Sequence, residues 1–207
     1  MAQTPKPSDI PNVFAMDQPQ HMWVKLAWEL QHLTDSMSVW KEDEGAYPEP
    51  VFRAFNTAVT AWHISDWLWQ SSVDTRAILK KRFGISAKET AAGMNKGLRR
   101  FQDAVVEECR ALYVCREIAN GSKHMRKSNP DPTIKAMAKW DPAVEAVGLA
   151  KPGDLVMSLT IADGGDERDA VLWFIDALGF WERLMAAEKL FTGAAGRLQT
   201  KIIKATT

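Results

Sequence analysis

The chain has 207 residues, of which 46% are apolar and 25% are charged, and its formal net charge at pH 7 is zero. This composition is typical of a soluble globular protein, and the neutral total excludes a protein that coats nucleic acid by net charge alone. No uncharged apolar run approaches the roughly 18 to 20 residues of a membrane-spanning helix. The first residues, MAQTPKPSDIPNVF, carry prolines where a signal peptide would be apolar. We therefore expect a cytoplasmic protein with no membrane partner.

Two helices are predicted in the first third of the chain. Residues 1–19 contain four prolines and predict an extended or poorly ordered arm. From residue 20 to about 40, apolar residues recur at spacings of three and four, which predicts a helix with one buried stripe: Met22, Leu26, Leu30, Leu33 and Met37. A second helix is predicted over about 50–71, starting on Pro50. Its apolar stripe is predicted to include Phe52, Phe55, Val59, Trp62 and Trp69.

The central region predicts short helices over 73–97 and then a long helix to about Ala119. The two cysteines, Cys109 and Cys115, are six residues apart on that helix and point to different faces, so we expect free thiols. Residues 76–139 hold 15 lysines and arginines against 6 acidic residues. This basic stretch would suit a polyanion such as RNA, although a solvated helix surface can have the same composition.

The periodicity changes in the last third. Residues 155–161 alternate apolar and polar side chains, which predicts a half-buried strand, and 133–140 is its expected partner. A last helix is predicted over about 167–190, with Asp166 as its N-cap. The predicted fold class is mainly α: a bundle of four long helices plus short helices, with a small antiparallel β-hairpin inserted before the last helix. We expect a single domain over 20–207, with the β insertion at about 133–162.

Two polar residues fall on the apolar stripe of the second predicted helix. Asp66 lies between Trp62 and Trp69 at helical spacing, and His63 is one turn before it. A carboxylate in an apolar environment needs a partner, since its burial alone costs several kcal/mol. His63 and Asp66 are therefore either a buried polar staple or part of a catalytic site.

The segment CREIANGSKH, residues 115–124, places polar residues at the end of the long helix. If the helix continues through Gly121, Arg116, Asn120, Lys123 and His124 share one polar face. If it stops at Asn120, Asn-Gly forms a left-handed C-cap and the lysine and histidine are solvated. Both interpretations fit the sequence.

The first interpretation supports ribonucleolytic chemistry. His124 could move a proton to or from a ribose 2′-hydroxyl or the leaving oxygen, while Arg116 stabilises charge on the phosphorus and Asn120 orients either group. Asp66 could orient His63 or His124, and Lys123, Arg126 and Lys127 are candidate substrate-binding residues. A zinc site made by His63, Asp66 and His124 is the competing chemistry. We expect no metal and no cofactor.

These residues give the chain a resemblance to HEPN-like domains. Members of that family include metal-independent endoribonucleases of toxin–antitoxin and phage-defence systems, which carry an arginine, a short spacer and a histidine. Asn120 and His124 match the polar residue and the histidine, whereas Ala119 occupies the arginine position and Arg116 lies one turn earlier. The resemblance implies a bacterial helical-bundle protein with RNA as partner and a site assembled across a homodimer.

The alternative hypothesis is a non-enzymatic helical interaction module of unknown function with protein partners. In that case His63, Asp66, Asn120 and His124 form a structural polar staple between helices.

Overall fold

The computed structural model describes residues 16–37, 49–86, 94–123, 131–142 and 155–191. The described ranges contain, in chain order, α1 (Pro19–Met37), α2 (Glu49–Ser71), α3 (Val73–Arg82), α4 (Met94–Glu108), α5 (Arg110–Lys123), β1 (Ile134–Pro142), β2 (Leu155–Asp163), β3 (Asp166–Asp169) and α6 (Ala170–Ala187). The mainly helical class with a small antiparallel sheet before the last helix is therefore confirmed. Within these ranges, no helix combines the length and apolar character needed to cross a membrane.

The chain divides into two compact units, each assembled from segments that are distant in sequence. The first comprises Met1–Lys25, His63–Ala104 and Trp181–Thr207, and the second comprises Leu26–Trp62 and Val105–Phe180. Helix α2 contributes its first part to the second unit and its last part to the first. The single domain expected over 20–207 stays a prediction.

Aromatic side chains form the core of the first unit. Trp69 of α2 stacks on Phe101 of α4 with ring centroids 5.6 Å apart, and Phe83 meets the same phenylalanine edge-on at 5.3 Å. Trp23 packs edge-on against Phe191 at 5.4 Å. Burial of large aromatic rings is among the strongest apolar contributions to folding, so these contacts fix how the segments of this unit pack.

The apolar stripe predicted for the start of α2 is wrong. Phe52 and Phe55 are 55% and 37% exposed, whereas Thr57 and Ala58 are fully buried. Small side chains allow close approach of neighbouring elements, and the Thr57 hydroxyl is satisfied by the carbonyl of Arg53 at 2.8 Å. Hydrophobicity alone therefore indicated the wrong face of this part of the helix.

The long helix predicted to end near Ala119 is interrupted at Cys109. The carbonyl of Cys109 accepts from the amides of both Leu112, at 3.0 Å, and Tyr113, at 3.4 Å, so one tighter turn separates α4 from α5. Cys109 and Cys115 are both free thiols, as predicted. Burial raises the pKa of the Cys115 thiol, which keeps it protonated and unreactive at neutral pH.

The sheet of the second unit has the order β1-β2-β3. The predicted pairing of β1 with β2 is confirmed as antiparallel, running from Ile134 opposite Asp163 to Pro142 opposite Leu155. One face of β2 is buried, since Met157, Leu159 and Ile161 are nearly inaccessible. The indole of Trp173 in α6 donates to the carbonyl of Ile161 at 3.3 Å, which joins the last helix to this face.

The start of the last helix differs from the prediction. Gly164 and Gly165 both have positive φ and form a turn from which β3 returns along β2, so Asp166 pairs with Asp163 as a strand residue. Asp166 is therefore not the predicted N-cap. The side chain of Asp169 instead accepts from the amide of Val171 at 2.7 Å, and the helix begins at Ala170.

Candidate polar sites on helices α2 and α5

Helix α5 carries the polar segment singled out in the sequence. The helix continues through Gly121 to Lys123, and Gly121 does not have the positive φ of a left-handed cap. The Asn-Gly C-cap is therefore wrong. With 3.6 residues per turn, positions 116, 120 and 123 lie within about 60° of one another around the axis. The backbone positions of Arg116, Asn120 and Lys123 therefore share one side of the helix, and His124, the fourth member of the predicted polar face, lies outside the described residues.

The guanidinium of Arg116 lies against two aromatic rings. Its central carbon is 4.7 Å from the ring centroid of Tyr113, one turn earlier on α5, and 5.8 Å from that of Trp62 on α2. Cation–π contacts of this kind hold a planar guanidinium in one orientation. The side chain is 23% exposed and its Nε lies 3.8 Å from Oε1 of Glu117. Asn120, one turn further on, is half-buried.

Acidic groups surround Tyr113 on the side of the loop that precedes β1. The phenol donates to Oδ2 of Asp131 at 2.5 Å, and the amide of Asp131 lies 3.4 Å from Oε2 of Glu117. The Thr133 hydroxyl donates to Oδ1 of Asp131 at 2.6 Å. Bonds from the Thr133 hydroxyl, the Tyr113 phenol and the Thr133 amide lower the pKa of Asp131 to about 2. In turn, the bond to Asp131 raises the pKa of Tyr113.

Arg110, at the start of α5, forms an ion pair with Asp163 of β2. Its Nε and one terminal nitrogen each donate to an Asp163 carboxylate oxygen at 2.6 Å, a bidentate pair, and its guanidinium lies 4.2 Å from the Tyr113 ring. The bond from Arg110 lowers the pKa of Asp163. Arg110, Tyr113 and Arg116 thus form a row along one side of the helix.

On α2, Asp66 has a hydrogen-bond partner that the sequence did not indicate. Gln102 of α4 donates from Nε2 to Asp66 Oδ1 at 3.4 Å and to Ser65 Oγ at 3.0 Å. Asp66 also lines an open cavity of about 300 Å³ in the first unit, together with Asp17. Two carboxylates at one cavity disfavour direct contact with a phosphate. His63 is half-buried in the same unit.

Several of the predicted site residues lie outside the described structure. His124, Arg126 and Lys127 fall in the gap between 123 and 131, and of Lys123 only the backbone is described. The zinc alternative depends on His124 and stays untested. Among the side chains that are described, no group of three or more His, Cys, Asp or Glu could hold a metal ion.

Tyr113, Asp131 and Gln102 are the residues around these sites that sequence reasoning missed. Tyr113 lies one turn before Arg116, and this helical spacing could have predicted the contact between the tyrosine ring and the guanidinium. Asp131 and Gln102 are 18 and 36 residues away from their partners Tyr113 and Asp66, and no local pattern reports such pairs. Comparisons with protein-family models, curated protein sequences and solved structures found no match for this chain.

Proposed function

We propose that this protein binds RNA through the C-terminal half of α5 and cleaves it without a metal ion, as its resemblance to HEPN-like domains implies. The observation that carries the proposal is the continuation of α5 through Gly121, which aligns positions 116, 120 and 123 immediately before His124. A capped helix end at Asn120 would have removed position 123 from this face. The same resemblance implies a homodimer, which light scattering of the purified protein would detect.

In this proposal Arg116 is the phosphate-stabilising residue. Its stacking on Tyr113 and Trp62 supports the role, because a guanidinium held in one plane loses less conformational entropy when it meets a phosphate. Lys123, Arg126 and Lys127 add sequence-independent contacts to the RNA backbone.

His124 supplies the proton transfer. As a neutral imidazole it takes the proton of a ribose 2′-hydroxyl, whose oxygen attacks the adjacent phosphorus, or as an imidazolium it protonates the leaving 5′-oxygen. Asn120, one turn before it, orients the imidazole or the phosphate.

The test compares wild type with His124→Ala on total RNA, with and without a chelator. General acid–base catalysis contributes about 10²- to 10⁴-fold, so we expect at least a hundredfold loss of cleavage in the variant and no effect of the chelator. His32→Ala is the matched control, because His32 is a half-exposed histidine of α1 bonded to the carbonyl of Trp28. Wild-type protein that leaves RNA intact would refute cleavage.

RNA binding is tested separately through the salt dependence of affinity. Arg116→Ala should reduce the slope of log affinity against log salt by about one, which is the change expected for the loss of one phosphate contact. Arg53→Ala removes a cation that pairs with Glu49 on α2, and it should leave the slope unchanged. Equal slopes for wild type and Arg116→Ala would remove Arg116 from the interface.

A non-enzymatic interaction module is the second candidate, favoured by one specific observation. Gln102 joins α4 to Ser65 and Asp66 of α2, which is the kind of polar staple expected of a structural cluster. Under this candidate Asp66→Ala lowers thermal stability, because it removes the acceptor of the Gln102 amide, and the wild-type protein cleaves no RNA. Unchanged stability of Asp66→Ala, or cleavage of RNA by the wild-type protein, would contradict this candidate.

A further inference from the structure

A second cavity, of about 140 Å³, lies in the second unit and is unrelated to the polar residues of α5. It is partly open, and one face of the sheet and helices α2, α5 and α6 line it. Residues that define its walls are Val51, Phe55, Ile118, Ala138, Leu159 and Phe174. All of these side chains are apolar.

The cavity results from small residues on β1. Ala136 and Ala138 pair with Ile161 and Leu159 of β2, and paired residues in an antiparallel ladder project on the same face. The β2 side chains are buried in the core, whereas both alanines are exposed. Their short side chains leave room that larger β-strand residues would fill, and the cavity is accessible at this strand.

The chemistry of the walls restricts the ligand. Among the residues that the structure describes, no charged side chain lines the cavity, and Thr160 is the one lining residue with a polar side chain. A charged group placed here would be desolvated without a partner, which costs several kcal/mol. These walls therefore match a neutral, apolar molecule.

The size of the cavity restricts the ligand further. An apolar protein cavity of about 150 Å³ is known to accommodate benzene. The value of 140 Å³ is close to that volume, and Phe55 and Phe174 offer ring edges and faces for aromatic packing. We propose that this cavity binds a neutral molecule of the size of one aromatic ring. Larger ligands such as a peptide would need polar groups for their backbone, and the walls do not supply them.

The experiment uses toluene as the probe and the full-length chain with ¹³C-labelled methyl groups. We expect saturable chemical-shift changes in the methyl groups of Ala136, Ala138 and Leu159. Benzoate, which has the same ring and a negative charge, should cause none at the same concentrations. Absence of saturable shifts with toluene, or equal shifts with benzoate, would overturn the proposal.

Two substitutions locate the site. Ala138→Leu fills the cavity and should abolish the toluene-induced shifts, while Ala162→Leu adds the same bulk on the opposite face of β2 and should preserve them. Ala136→Leu is the second cavity-filling variant if Ala138→Leu does not fold, as judged by circular dichroism. Retention of toluene binding by a folded cavity-filling variant, or shifts that grow with protein concentration and so indicate a second copy, would contradict the site. Neither result depends on RNA binding.

Discussion

The phenolic hydroxyl of Tyr113 donates a 2.5 Å hydrogen bond to the carboxylate of Asp131, which joins the middle of α5 to the turn before β1. The same tyrosine ring lies against the guanidinium groups of Arg110 and Arg116. Tyr113 therefore links α5 to the turn before β1, beside the Arg110–Asp163 pair that links the same helix to β2. A substitution of this tyrosine should therefore change the environment of both the Asp131 carboxylate and the Arg116 guanidinium.

Replacement of Tyr113 by Phe should raise the pKa of Asp131. One of the bonds that favour the carboxylate is lost, while the Thr133 hydroxyl and amide remain, so the pKa should rise from about 2 but stay below its ordinary value of about 4. A pH titration of the Asp131 carboxyl carbon by NMR measures both values. Thr133→Val should raise the pKa further, since the Thr133 hydroxyl is the largest cause of the lowering. An Asp131 pKa unaffected by Tyr113→Phe would contradict this bond.

The hydrogen bond between Tyr113 and Asp131 predicts how the free energy of unfolding depends on pH. A carboxyl whose pKa is lowered by folding stabilises the fold above its ordinary pKa, and this stabilisation is lost as the pH falls from about 4 towards 2. The raised pKa of Tyr113 acts in the opposite direction, so its contribution is present below about pH 10 and is lost above it. The free-energy difference between wild type and Tyr113→Phe should therefore be largest between these limits. Chemical denaturation at about pH 2.5, 7 and 11 measures this difference.

Arg110→Gln should lower the free energy of unfolding by roughly 1 kcal/mol at neutral pH. The pair with Asp163 is bidentate, but Arg110 is half-exposed, so water reduces its contribution to the upper end of the range for surface pairs. Because the pKa of Asp163 is lowered, the pair stabilises the protein above the ordinary carboxyl pKa and this effect disappears as the carboxylate is protonated in acid. Urea denaturation at neutral and acidic pH measures the difference.

Arg53→Gln is the matched control for that experiment. Arg53 pairs with Glu49 one turn away on the same helix, an arrangement worth about 0.3–0.5 kcal/mol. Its loss of stability should be smaller than that of Arg110→Gln. A difference of the same size for both arginines, or one that persists after protonation of Asp163, would show that the bidentate geometry adds nothing.

The sequence predicted α1 well because one narrow stripe carries its apolar residues. Met22, Leu26, Leu30 and Leu33 are all buried as the spacing of three and four required. The prediction for the first part of α2 was wrong for the opposite reason. Its buried positions include Thr57, and its large apolar side chain Phe52 is exposed. Periodicity of hydrophobic residues does not report where small residues allow close packing.

In the candidate sites too, local spacing predicts some features and misses the contacts between residues that are distant in sequence. The helical face shared by positions 116 and 120 follows from local spacing, and α5 has it. The partners of Tyr113 and Asp66 come from residues more than a dozen positions away, so they depend on how the elements pack. The third strand was missed because its four residues, DERD, carry none of the apolar alternation that identifies a strand.

Asp169→Ala should destabilise the protein by about 1 kcal/mol, the typical cost of losing an N-cap side chain. Asp169 satisfies the amide of Val171 at the start of α6, and alanine leaves that amide to water. Asp166→Ala is the control, because it removes the same carboxyl three residues earlier without touching this amide. Thermal unfolding of both variants separates the two positions, and a larger loss for Asp166→Ala would restore the N-cap that the sequence suggested.

Gln102→Glu tests the link between α4 and α2 with almost no change of shape. The amide donor to Ser65 and Asp66 is replaced by a carboxylate, which places a second negative charge beside Asp66 and can only accept from the buried Ser65 hydroxyl. We expect a loss of roughly 1–3 kcal/mol at neutral pH.

The like charge raises the pKa of the introduced glutamate, so its protonation below about pH 5 restores a donor and should recover part of the loss. Gln102→Leu introduces no titrating group, so its deficit should recover less than that of Gln102→Glu on acidification to about pH 5. If the two variants respond to pH in the same way, the hydrogen bond from Gln102 to Asp66 is not what joins these helices.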